Sequence, residues 1–334
     1  MLALKVNDAG DELTYTDSGL PSSTSDAPYV TVFAVHGIIF NNLVFKRLQA
    51  LAPAANLRIV AINRRGFGGS TPMSEHLANL LASGSDEEKR QASDILCNEV
   101  LYFVDAFIQK EGIPPISSDR QGGGFALLGW SAGCGYVTRA VSNIHSYPSE
   151  MQARLAQYIR ALIIEDPPSA ALGYVDPPGT WSFDAFRVPQ EAQNYFFLQS
   201  LTAYYDHGDL STRDKSVIEY ITPSFSRAPT IFNMSAEERA TMMETTLATD
   251  LPVLFGMVPS SQRAFHKACF DSRITALLPH MKVWHLGCDA AASYGIAAYF
   301  DILADDEAHG GGLINFRNIQ GANHFVSSLR RPTS

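Results

Sequence analysis

The chain is poor in several things, and each shortage argues against a class of function. Its only cysteines are Cys97, Cys134, Cys269 and Cys288, scattered without paired spacing. That pattern argues against a disulfide framework, and reduced thiols in an intracellular, cytoplasmic protein are expected. The nine histidines include no pair at ligand spacing near a third ligand, so no metal is expected. Positive charge is scarce: 25 Lys and Arg stand against 34 Asp and Glu, for a net charge of -9 and a pI near 5.4. Nucleic acid and anionic membrane surfaces are therefore unsuitable partners. No run of eighteen apolar residues occurs, so no membrane span is expected. The stretch from Met1 to Asp8 lacks a basic start followed by an apolar run, so no signal peptide is expected. The Gly122-Gly123-Gly124 run does not open a G-x-G-x-x-G frame after a strand, which argues against a dinucleotide loop. No cofactor is expected.

What is present is apolar material in a regular order. At 334 residues, 46% hydrophobic and 18% charged, the chain can bury a large core, and one catalytic domain carrying an insertion fits better than two equal domains. Leu13 and Tyr15 alternate before an Asp17-Ser18-Gly19 turn, the pattern of an edge hairpin within residues 1–20. Strand-like runs follow at 29–35, 57–62, 125–128, 158–164, 281–286 and 313–319, with helical periodicity between most of them. Residues 71–92 are polar and read as a solvated loop running into a helix that continues through Leu101 and Phe107. A helix is expected over 290–304, then loop at Asp305-Asp306-Glu307 and Gly310-Gly311-Gly312. Strands alternating with helices imply parallel pairing with right-handed crossovers.

From about 169 to 275 the alternation stops, and Pro, Tyr, Phe and helical patches replace it. This segment is expected to be an inserted, mainly helical lid. It divides the core into residues 1–168 and 276–334. Phe183, Phe186, Tyr195, Phe196, Phe197, Met242, Met243 and Phe255 would cover a pocket beneath it.

One stretch organises the rest. Phe125 to Leu128 reads as a buried strand, and after Gly133 the apolar residues Tyr136, Val137 and Ala140 recur at helical spacing. Gly129-Trp130-Ser131-Ala132-Gly133 therefore forms a strand-to-helix turn with a serine at its centre, the setting of a nucleophile elbow. With 24 glycines in 334 residues, roughly 0.1 such pentapeptides are expected by chance. Side chains at 129 or 133 would collide with the adjoining strand or helix, and the Ala132 amide sits at the positive end of a helix.

Four features occur in order: His36-Gly37 after a strand, Arg65-Gly66-x-Gly68-x-Ser70, Gly-x-Ser-x-Gly at 129–133, and Gly321-x-Asn323-His324-Phe325 near the C-terminus. With these the chain resembles the α/β-hydrolase superfamily over nearly its whole length. The resemblance implies an α/β-hydrolase fold, a mostly parallel eight-stranded sheet flanked by helices with an inserted helical lid. It also implies a triad in the order serine, acid, histidine. Ser131 is then the nucleophile and His324 its base. Two acids are candidates. Asp289 follows the penultimate strand, where the family usually places the acid, although the spacing here is Gly287-x-Asp289 in place of Gly-x-x-Asp. Asp166 ends the strand after the elbow helix, the position of a minority branch; its neighbour Glu165 points the other way by strand alternation. Either would orient the His324 ring. The oxyanion hole would use the amides of Ile38 and Ala132. Trp130, Ile39 and Phe325 are the expected substrate contacts. His36 reads as structural, and Arg65 and Ser70 as fixing a tight turn.

The resemblance implies a serine hydrolase acting on a small to medium, apolar ester, lactone or thioester, as a monomer or homodimer. A serine at 131 argues against the carboxylate-nucleophile branches. Similar folds also serve cofactor-free dioxygenases, in which the acid sits on the earlier strand, as well as C–C bond hydrolases and ligand receptors that retain the triad without turnover.

Overall fold

Short apolar runs bounded by turn residues form strands, and this chain sets six of them side by side, with an edge hairpin at one end. The computed structural model describes residues 1–21, 28–176, 188–244 and 247–326. Its sheet comprises β1 (Leu2–Lys5), β2 (Glu12–Asp17), β3 (Val30–Val35), β4 (Leu57–Ile62), β5 (Phe125–Trp130), β6 (Ile159–Glu165), β7 (Lys282–Cys288) and β8 (Ile314–Ile319). The order is β1-β2-β4-β3-β5-β6-β7-β8. β1 pairs with β2 and β2 with β4 in antiparallel fashion, forming the expected edge hairpin, and every other pairing is parallel.

Strand alternation builds two cores. Phe33 and Val35 face one side, with Phe103 and Phe107 of the helix Asp86–Glu111; Val32 and Ala34 face the other, with Phe45 and Met242. Edge-to-face rings lock the first layer, Tyr15 to Phe103 at 5.2 Å and Phe33 to Phe107 at 5.3 Å between centroids. All four cysteines are free and buried. No described helix is long and apolar enough to cross a membrane.

The structure departs from the sequence expectations at three places. Residues Glu75–Ser83 are a helix, not a loop, because Leu77 and Leu81 bury one face and the Ser74 hydroxyl caps the Leu77 amide. A second capped helix, Asp86–Glu111, follows, with Ser85 and Glu88 forming a reciprocal capping box. The helix Ser293–Ala308 runs through the acidic triplet assigned to a loop. Asp306 is buried there because its carboxylate accepts the amides of Gly312, Leu313 and Ile314, closing the turn that leads into β8.

Between β6 and β7 the described residues contain mainly helices, including Gln190–Leu201, Ala236–Met242 and Leu247–Phe270. The last of these, expected in the lid, shares a buried cluster with the helix Gly133–Ser142 through Met257, Phe265 and Ala268. Arg139 also reaches Ser260 at 2.7 Å. This helix thus completes the layer flanking the sheet. Phe183 and Phe186 lie outside the described residues.

Candidate active site

The parallel strands end in loops along one edge, and three of those loops converge. β5 terminates at Trp130, Ser131 takes φ +57°, and the helix Gly133–Ser142 begins two residues later. The Ser131 N–H donates to the Glu165 carbonyl at 2.9 Å, and the Ser131 carbonyl accepts from Cys134 N–H at 3.0 Å. This left-handed turn needs small neighbours. A Cβ on Gly133 would sit 2.3 Å from the Val35 carbonyl oxygen, and one on Gly129 would sit 2.6 Å from the Gly133 carbonyl oxygen. The His36-Gly37 loop meets the serine directly: a Cβ at Gly37 would lie 2.7 Å from Ser131 Cβ and 3.0 Å from its Oγ.

His324 arrives from the loop after β8. The Trp130 indole N–H donates to the His324 carbonyl at 2.8 Å, and the two rings lie 5.1 Å apart. Asn323 anchors the same loop, donating to the Thr202 carbonyl at 2.6 Å and to Thr230 Oγ1 at 2.8 Å. Of the two candidate acids, the structure brings Asp166 to the histidine, with Asp166 Oδ2 accepting from His324 Nδ1 at 2.5 Å. Asp166 is itself held at φ +45°, its N–H donating to the Leu286 carbonyl. Asp289, in the position usual for the family, turns elsewhere. Its Oδ1 accepts the Gly321 N–H at 2.6 Å, so it shapes the turn that carries the histidine loop. The shortened spacing after Gly287 places this carboxylate beside the loop and not beside the ring.

Ser131, Asp166 and His324 are all buried, His324 completely. With Nδ1 on Asp166, the other ring nitrogen, His324 Nε2, is buried and makes no hydrogen bond to Ser131 Oγ or to any other atom among the described residues. Such contacts commonly close only when substrate is bound. The amides of Ile38 and Ala132 have no acceptor among the described residues.

A second layer orients the Ile38 amide. The Gly37 carbonyl accepts from Arg64 Nη2 at 2.7 Å and from His36 Nδ1 at 2.9 Å. The other ring nitrogen of His36, Nε2, accepts the Arg64 N–H at 3.1 Å, which assigns the proton to Nδ1. Burial first, and the Arg64 charge second, hold His36 well below its ordinary pKa, so it is the neutral donor this geometry requires. Because the peptide is trans, pinning the Gly37 carbonyl aims the Ile38 N–H the opposite way. Ser70 does serve the tight turn, accepting the Thr14 amide at 2.9 Å and donating to the Asn63 carbonyl at 3.0 Å. Arg65 reaches further than a turn: it pairs with Glu99 and with Asp11 at 2.7 Å, tying the loop to a helix and to the edge hairpin.

Trp130, Ile39 and Phe325 are each about 1% exposed. They are packed side chains of the apolar layer under the loops, with Trp130 and Phe325 rings 5.0 Å apart and Phe40 against Phe325 at 4.9 Å. A cavity of about 610 Å³ opens nearby, lined by Tyr195, Leu198, Gln199, Ile231, Arg239 and Met243 among others. Leu198 and Met243 belong to the same apolar cluster as Trp130 and Phe325. Sequence reasoning missed Arg64 and Asp250. Arg64 stands one residue before an arginine with a recognisable motif, and Asp250, which accepts the Ile39 N–H, is 211 residues from its partner and carries no local signal.

No curated protein matches the chain. Solved structures align over almost all of it at low identity. A bromoperoxidase from Bacillus anthracis superposes with a TM-score of 0.53 and 15% identity, covering 98% of this chain and 94% of that one. The thioesterase domain from the curacin biosynthetic pathway gives 0.51 and 13%, covering 98% and 95%. A carboxylesterase structure from the ammonia-oxidizing thaumarchaeon Nitrososphaera gargenis gives 0.51 and 13%, covering 98% and 92%. These likenesses concern the fold. The sequence profile of the alpha/beta hydrolase family matches residues 32–328, so with its sheet order, its serine turn and its histidine loop this chain belongs to the alpha/beta hydrolase family.

Proposed function

We propose that the protein is a serine hydrolase that cleaves a small to medium apolar ester, lactone or thioester through an acyl-Ser131 intermediate. The observation that carries this reading is the buried Asp166–His324 pair beside a serine held at φ +57° in a strand-to-helix turn. In the proposed reaction His324 Nε2 takes the Ser131 proton as Oγ attacks the substrate carbonyl carbon. Negative charge develops on the carbonyl oxygen and is met by the N–H groups of Ile38 and Ala132. The tetrahedral species collapses, and the leaving alkoxide or thiolate departs with the proton from His324. Water then attacks the acyl carbon, giving its proton to His324, and the acid product is released with the serine restored. Asp166 keeps the His324 proton on Nδ1 and stabilises the imidazolium. The helices Gln190–Leu201 and Ala236–Met242 act as the lid: Leu198, Met234 and Met242 pack in the cluster that holds Ile38 and Trp130. An apolar covering suits an apolar substrate.

The test is fluorophosphonate labelling beside turnover of p-nitrophenyl acetate and butyrate, wild type against Ser131→Ala. We expect labelling and turnover in the wild type and neither in the variant, with unchanged folding. Equal turnover in Ser131→Ala would remove the reading.

The position of the acid favours one second reading. Asp166 lies at the end of β6, where the similar cofactor-free dioxygenases carry it, so His324 would instead deprotonate a bound hydroxy-heteroaromatic ring. Oxygen consumption with such substrates, in a well-folded protein that fails to label, would select that reading.

A further inference from the structure

Ile39 holds a backbone conformation that a β-branched residue rarely takes. Its φ is +66°, and the Phe40 N–H donates to the Ile38 carbonyl at 2.7 Å across it. A three-residue turn with a positive central φ is the rare, strained hand of the γ-turn. Such conformations persist only where surrounding contacts hold them. Here the contacts come from residues more than 200 positions away. Asp250, 4% exposed in the first turn of the helix Leu247–Phe270, accepts the Ile39 N–H on Oδ2 at 2.5 Å. The Ile39 carbonyl accepts from the Glu244 N–H at 3.0 Å, and Asn41 N–H donates to the Met242 carbonyl at 2.8 Å.

Ile38 lies between two pinned peptides. The one before it is held by Arg64 and His36 through the Gly37 carbonyl, and these come from the sheet edge. The one after it is held at its carbonyl by Phe40 N–H and at its N–H by Asp250. We propose that Asp250 is a positioning residue for catalysis, whose carboxylate clamps the strained Ile39 turn and so keeps the Ile38 N–H aimed at the cleft of Ser131. The proposal rests on the serine-hydrolase reading of the same site. It makes the helix that completes the core layer a working part of the oxyanion loop.

Asp250→Leu removes the acceptor, whereas Asp250→Asn keeps an oxygen that can take the Ile39 N–H. We expect Asp250→Leu to lower kcat for p-nitrophenyl butyrate about 100-fold, the scale of losing one oxyanion donor, with KM within about threefold. Asp250→Asn should stay within about fivefold of wild type. Affinity for a trifluoromethyl ketone, whose hemiketal oxygen would occupy the hole, should fall with kcat and not with KM. The double variant Ile39→Gly/Asp250→Leu should recover at least tenfold over Asp250→Leu, because glycine adopts positive φ without a clamp. Thermal melts establish that each variant is folded. Undiminished kcat in Asp250→Leu, a loss confined to KM, an equal loss in Asp250→Asn, or no recovery on adding Ile39→Gly would each overturn the inference while fluorophosphonate labelling of the wild type upholds the hydrolase reading. A wild type that fails to label would overturn both.

Discussion

At the scale of single residues, the two aspartates separate cleanly by what they touch. Asp166 accepts from the histidine ring, and Asp289 accepts from a main-chain amide. Asp166→Asn should therefore lower kcat for ester turnover by roughly 10³–10⁴, since an amide at that position favours the wrong histidine tautomer. Asp289→Asn should leave kcat within a few-fold and lower thermal stability modestly, by about 1 kcal/mol for the weakened bond to Gly321. Steady-state kinetics and a melting curve on the two variants decide the matter. Gly37 supplies a second residue-scale expectation. A methyl group there would press on Ser131 at 2.7 Å, and both residues are enclosed. Gly37→Ala should displace the serine side chain and reduce fluorophosphonate labelling at least tenfold. The accompanying loss of stability should be about 1–3 kcal/mol, as for other overpacked sites.

At the scale of elements, the elbow depends on how closely the helix Gly133–Ser142 approaches the ends of β3 and β5. The approach is main chain against main chain. Gly133→Ala would put a carbon 2.3 Å from the Val35 carbonyl oxygen, and a strand buried between two neighbours cannot withdraw. Chemical denaturation should show a loss of about 3 kcal/mol or more for Gly133→Ala, larger than for Gly37→Ala, whose neighbour is a side chain. The loops obey the same economy of parts. Arg64, His36 and Asp250 fix the main chain of the His36–Asn41 loop by hydrogen bonds to successive peptides, leaving the Ile38 amide without an acceptor among the described residues.

For the whole molecule, buried histidines tie stability to pH. His285 lies on β7 between the Tyr299 ring at 5.3 Å and the Phe316 ring at 5.8 Å, and neither of its nitrogens has a hydrogen-bond partner among the described residues. Burial alone pushes its pKa down to about 3. His36 is shifted in the same direction. A histidine whose folded pKa lies below its unfolded value near 6.5 binds more protons when unfolded, so stability rises with pH through that window. The contribution is present in full above 6.5 and is lost as pH falls toward 3. Urea titrations should thus show wild type losing a few kcal/mol between pH 7 and pH 4 beyond what His285→Leu loses. Parallel curves for the two proteins over that range would contradict this account.

The sheet, the elbow and the histidine loop were legible in the amino-acid order because each rests on local physics. A strand buried on both faces must be a continuous apolar run, a left-handed turn pressed against main chain must be flanked by glycine, and both constraints are written in neighbouring residues. The runs at 29–35, 57–62 and 125–128 are strands for this reason, and the edge hairpin at 1–20 was marked by the alternation of Leu13 and Tyr15 before a turn. Local reading failed where a polar face hid an apolar one, as at Glu75–Ser83, where Leu77 and Leu81 are buried in the core and Leu80 packs against it. It also could not choose between Asp166 and Asp289. Both follow strands, and which carboxylate meets His324 depends on how the loop after β8 returns across β6 and β7. Asp250 and Arg64 lie further still from local signals, because the loop groups they hold, the Ile39 N–H and the Gly37 carbonyl, are main-chain groups that any sequence would supply. The amino-acid order thus determined the fold class and the residues that end each strand; the tertiary structure alone decided which of those residues meet, because hydrogen bonds between loops join positions with no periodicity in common.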